Sequence, residues 1–104
     1  MRLRRSRFAQ LIDSQLDLFE REHRDVIEEV ATRLEAYNRA DRAEAEELYG
    51  DYVDAVETAT EALADMRDRF KQTLDEDAAE EYEREFNRAV KKRWSMFGLE
   101  IDLR

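Results

Sequence analysis

The chain has no cysteine and no proline, and only two glycines, Gly50 and Gly98. Without cysteine there is neither a disulfide framework nor thiol chemistry. All-β and α/β folds need frequent turns, which draw on glycine and proline, so their scarcity leaves long helices joined by few connections. No uninterrupted apolar run approaches the roughly 18 residues of a membrane-spanning helix. The basic start, Met-Arg-Leu-Arg-Arg-Ser-Arg, lacks the apolar segment of a signal peptide, because Gln10, Asp13, Ser14, Gln15 and Asp17 interrupt it. The cytoplasm is therefore the expected location. A single histidine, His23, limits imidazole chemistry to one position per chain. There is no glycine-rich phosphate loop and no zinc-binding spacing.

What the chain does hold is charge and apolar surface in nearly equal measure, 43% and 42% of its residues. Interleaved as they are, they indicate amphipathic helices rather than disorder. Only three of the 18 cationic residues are lysines, and the net charge is −9. An acidic surface repels phosphates, which argues against a nucleic-acid partner. With 104 residues, one helical domain spanning 1–104 is expected.

The first apolar stripe runs through Phe8, Leu11, Ile12, Leu16, Phe19, His23, Val26, Ile27, Val30, Leu34 and Tyr37. Steps of three and four place all of these on one face of a continuous helix, about 6–38. Asn38 suits the end of a helix, and Asp41 with Glu44 resembles a capping box. The short link makes the next helix, about 42–73, an antiparallel neighbour. Its stripe is Ala45, Leu48, Tyr49, Tyr52, Val56, Ala59, Leu63, Met66, Phe70 and Leu74. Gly50, inside that helix, marks either close packing or a bend. Near Asp75-Glu76-Asp77 the pattern permits a break or a continuous helix. A break is preferred, because a helix from 42 to 97 would exceed 50 residues, a length typical of coiled coils. The third helix, about 77–97, carries Ala78, Tyr82, Phe86, Val90, Trp94 and Phe97, and Gly98 is placed to end it. The remainder, 98–104, alternates apolar and acidic residues, so it is expected to be an extended tail. The fold class is all-α: a long antiparallel hairpin with a third helix, forming a three-helix bundle, with a coiled-coil-like dimer as its assembled form.

Three kinds of function fit this plan. The first is a non-catalytic helical interaction, adaptor or structural module that self-associates and binds another protein. The apolar stripe is longer than one hairpin is expected to cover. This assigns the interface to Tyr82, Phe86, Val90, Trp94 and Phe97, with Leu99, Ile101 and Leu103 as a docking tail. The second rests on Glu20-Arg21-Glu22-His23. A Glu-x-x-His spacing puts a carboxylate and an imidazole on one helix face, and it is similar to the spacing in ferritin-like di-metal bundles. Antiparallel register sets His23 near Glu57, and Glu20 near Glu61. A dimer could then gather Glu20, His23, Glu57 and Glu61 into a half-bundle site for iron, manganese or zinc. On the first reading no cofactor is expected. The third is an anionic-surface binder using Arg2, Arg4, Arg5 and Arg7 with Lys91, Lys92 and Arg93. A structural role competes with it, since register would set Arg5 against Asp75 and Arg2 near Asp77.

Overall fold

The computed structural model describes residues 7–104, and every regular element among them is helical. Helix α1 (Ala9–Glu22) turns Ile12, Leu16 and Phe19 inward at the four-and-three spacing of one helical face, with Phe8 buried just ahead of it. The expected single helix over 6–38 is in fact two. At His23 the backbone leaves helical geometry (φ −119°, ψ 30°) and α2 (Arg24–Asn38) begins. The hydrogen bonds pass across the joint: the His23 N–H donates to Phe19 O (2.8 Å), and His23 O accepts from the Ile27 N–H (3.1 Å). The cause is a change of partner. The α1 face packs on the helix of residues 76–93 and the α2 face packs along that of residues 45–71, so one straight stripe cannot serve both. The imidazole of His23 closes the corner by stacking on Phe19, with ring centres 4.4 Å apart and planes within 16°.

A short turn follows, in which Asp41 Oδ1 accepts from the Glu44 N–H (3.0 Å), and α3 (Ala45–Lys71) returns antiparallel to α2. At 27 residues it is about 40 Å long. Its N-terminal half faces α2. Its C-terminal half buries Ala59, Leu63 and Ala64 in the body. Gly50 marks no close approach, since a methyl group there would meet no heavy atom within 4 Å.

The chain turns between Lys71 and Glu76. Asp75 sits extended (φ −70°, ψ 168°), and its carboxylate accepts from the Ala78 N–H (2.9 Å), an N-cap for α4 (Glu76–Arg93). This helix buries Ala78, Ala79, Tyr82, Phe86 and Val90. After Trp94 a 3₁₀ turn over Ser95–Phe97 leads into α5 (Gly98–Leu103). The expected extended tail is thus a helix, and Gly98 opens it (φ −58°, ψ −46°) instead of ending the one before. The alternating pattern misled because only half of it points inward. Phe97 and Ile101, four apart, are fully buried, while Leu99 and Leu103 face out. At Gly98 the two helices come close: a Cβ would lie 3.2 Å from Lys91 Cγ.

The expected three-helix plan therefore becomes five α-helices among the described residues. Four of them (α1, the second half of α3, α4 and α5) surround a core of Phe19, Leu63, Tyr82, Phe86, Phe97 and Ile101. The pair formed by α2 and the first half of α3 extends from this body as an arm. The principal extents of 51 × 33 × 23 Å record that shape. The radius of gyration, 15.8 Å, exceeds the roughly 13 Å of a compact chain of this length.

Candidate interaction surfaces

Residue 67 lies four after Leu63 and three before Phe70, on the buried face of α3, and the side chain there is an arginine. Arg67 is 1% exposed. Its guanidinium donates to Asn87 Oδ1 (3.0 Å), Asp68 Oδ1 (2.9 Å), the main-chain oxygen of Ile101 (3.2 Å) and that of Arg104 (2.7 Å), and lies 3.7 Å from Glu83. A buried charge is tolerated when it is paired and its donors are used, and both conditions hold here. One of these acceptors is the Ile101 carbonyl in the last turn of α5, which also accepts from the Arg104 N–H (3.4 Å), and another is the main-chain oxygen of Arg104, just past the helix. Arg67 thus fastens α5 to α3. The plugs Phe97 and Ile101 hold it from below.

The outer side of that fastened helix carries an exposed apolar row. Leu99 is 75% exposed and Leu103 73%, and Met96 extends the row from the preceding turn. The sequence that carries it is basic. Residues 84–104 hold six cations (Arg84, Arg88, Lys91, Lys92, Arg93, Arg104) against three acids. Part of this is used internally: Lys91 pairs with Asp102, and Arg93 with Asp17 at 2.9 Å. Arg84, Arg88 and Lys92, at i, i+4 and i+8, are exposed and form no ion pair among the described residues.

The arm is the opposite in sign. Residues 24–60 hold four arginines against eleven aspartates and glutamates, a net −7. Two of those arginines are engaged with neighbouring acids on α2, Arg33 with Glu29 (2.6 Å) and Arg39 with Glu35 (3.0 Å). Arg33 also reaches across the hairpin to Asp51 O (2.8 Å). Glu47, Asp51 and Asp54 follow one face of α3, exposed and without ion pairs among the described residues. The arm is only two helices thick, so its apolar residues are incompletely covered. Tyr37 and Tyr52 are half-buried and flank Tyr49, which is 50% exposed.

Several expected site residues lie elsewhere. Tyr82, Phe86, Val90, Trp94, Phe97 and Ile101 are buried within the chain itself. They are the core, because α1 and the second half of α3 cover the face that a hairpin alone would leave open. Of the expected interface residues, Leu99 and Leu103 remain on the surface. Glu20, Glu57 and Glu61 are exposed, and no three His, Asp or Glu side chains among the described residues come together as a metal-binding group. His23 Nδ1 is shielded and, among the described residues, without a hydrogen-bond partner, turned into the stack with Phe19. Beside it a groove of about 570 Å³ opens between α1 and α3, lined by Leu18, Ala62, Met66 and Phe70 with Asp65 and Arg69. Of the N-terminal basic residues, Arg7 lies 3.6 Å from Glu81. The expected pairings of Arg5 and Arg2 lie outside the described residues.

The residue that sequence reasoning passed over is Arg67. Its signal was present, a charged side chain at a stripe position that the spacing reserves for an apolar one. Tyr82 carries the other buried polar group of note. Its hydroxyl donates to Gln15 Oε1 (2.7 Å), and burial pushes it up to about 12 from an ordinary 10.

No helix among the described residues is long and apolar enough to cross a membrane. No family model, no curated protein and no solved structure matches the chain.

Proposed function

We propose that the chain is a non-catalytic helical interaction module that associates with itself. The observation that carries this is the Leu99–Leu103 row. An exposed apolar row costs solubility unless something covers it. Here it is held in place by the inward plugs of α5 and by the buried guanidinium of Arg67. A rigid helix face is a better docking element than a loose tail, because less conformational freedom is lost on binding. The reading is tested by sedimentation over a wide concentration range. The wild-type chain should rise from monomer mass, and Leu99→Glu/Leu103→Glu should stay monomeric with unchanged helix content. A wild-type monomer at every concentration would reject self-association.

A further inference from the structure

The apolar stripe of α4 does not stop where the helix stops. Tyr82, Phe86, Val90, Trp94, Phe97 and Ile101 follow one another in steps of four, four, four, three and four, the spacing of one face of a single helix. All six are buried. Yet the chain folds back at Trp94 (φ −136°, ψ 87°), and the 3₁₀ turn Ser95–Phe97 lays α5 against α3 and α4. Nothing local compels the bend. The chain has no proline, no described residue has a positive φ, and no side chain caps the turn. What holds this hook shut is the seat of α5. Phe97 and Ile101 plug it, the Arg67 guanidinium grips the main-chain oxygens of Ile101 and Arg104, and Lys91 pairs with Asp102. Residues 76–103 thus have two helical solutions, the hook and one straight helix. The straight one carries Phe97 and Ile101 away from their own seat and leaves them bare.

We infer that two copies of this chain exchange α5. In each copy α4 runs straight through residue 94 into α5, and α5 takes the seat on α3 and α4 of the other copy. This rests on the self-association proposed above and names the segment that passes between copies. The occupant is set by identity. The seat already fits Phe97 and Ile101 and already presents Arg67, so a second copy's α5 makes there the contacts that the chain's own α5 makes. About a twofold axis the exchange is reciprocal, so both seats are filled and the dimer closes. Within each chain the backbone changes only around residues 94–97, where a turn becomes helix.

Two variants test this, each read by sedimentation with circular dichroism to verify helix content. Ser95→Pro suits the hook. A 3₁₀ turn shares the φ of proline, and Trp94 already lies outside the α region, as a residue before proline prefers. In the straight helix the proline ring strikes the Lys91 carbonyl, so the variant should fold and its dimer should weaken by about a hundredfold or more. The second variant, Lys91→Cys/Gly98→Cys, uses a chain with no cysteine of its own. Across the hook the two Cβ atoms would stand 3.8 Å apart, the usual separation in a disulfide. Along one straight helix the same positions are about 10 Å apart. Oxidised as separated dimer, this variant should run as a covalent dimer on a non-reducing gel, whereas oxidised monomer should close within the chain. A dimer whose cysteines join only within chains overturns the exchange. So does a folded Ser95→Pro chain that dimerises as tightly as the wild type; in either case self-association stands and only its arrangement is wrong. A wild-type chain that is monomeric at every concentration rejects both readings.

Discussion

Two side chains show how burial sets the energetics of this chain. Tyr82 is fully buried with its hydroxyl on Gln15. Below pH 10 the phenol is neutral whether the chain is folded or not, so its contribution to stability is fully present there. Above pH 10 the unfolded chain ionises first, while the folded one holds its proton up to about 12. Stability should therefore fall across that window, by about 3 kcal/mol in total. Alkaline denaturation of Tyr82→Phe should lack this fall, and at neutral pH the variant should lose about 1 kcal/mol with the hydrogen bond. Arg67 is the harsher case. Arg67→Ala removes four donor contacts, two of them to the main-chain oxygens of Ile101 and Arg104 that fasten the C-terminal end of α5. A loss of about 3 kcal/mol in denaturant unfolding is expected, and Arg67→Lys should rescue little of it, because an ammonium cannot reproduce the fork. The position of Arg67 was readable from the spacing. Its partners were not, because Asn87 and the α5 carbonyls come together only when two turns have been made.

At the scale of elements, the apolar spacing delivered the helices and misplaced two of their joints. The break before α4 has a local cause, the Asp75 cap, and so it leaves a mark in the sequence. The break at His23 has none. No proline or glycine is near, and what bends the chain is the separate demand of α4 on α1 and of α3 on α2. The interface residues were misassigned for the same reason. Tyr82, Phe86 and Val90 form a face whose cover cannot be counted until α1 is known to fold over α4. Gly50 offers an element-level test. It lies within α3, with open space where a Cβ would be and no left-handed backbone angle to require glycine. Gly50→Ala should therefore raise stability by about 1 kcal/mol, seen as a higher denaturant midpoint at unchanged slope.

For the molecule as a whole, body and arm differ in how much holds them. The body closes around aromatic side chains from four helices, whereas within α2 Val30 is the buried residue and the arm is held mainly by the packing of α2 on α3. Hydrogen exchange should show this directly. Amides of α2 should open through local fluctuations, with protection at least about tenfold below that of α4 in dilute monomer.

The turn at the arm's tip has a practical corollary. Arg39, Asp41, Arg42, Ala43 and Glu44 are all exposed, and the buried residues nearest in sequence are Val30 and Ala55. Splicing a fluorescent probe or a small guest domain between Arg42 and Ala43 would lengthen a loop whose closure entropy grows by only about 0.6 kcal/mol per doubling. The guest would sit at the end of a helical spar, away from the aromatic core. The chain would then serve as a stiff spacer whose cargo reports the orientation of the arm.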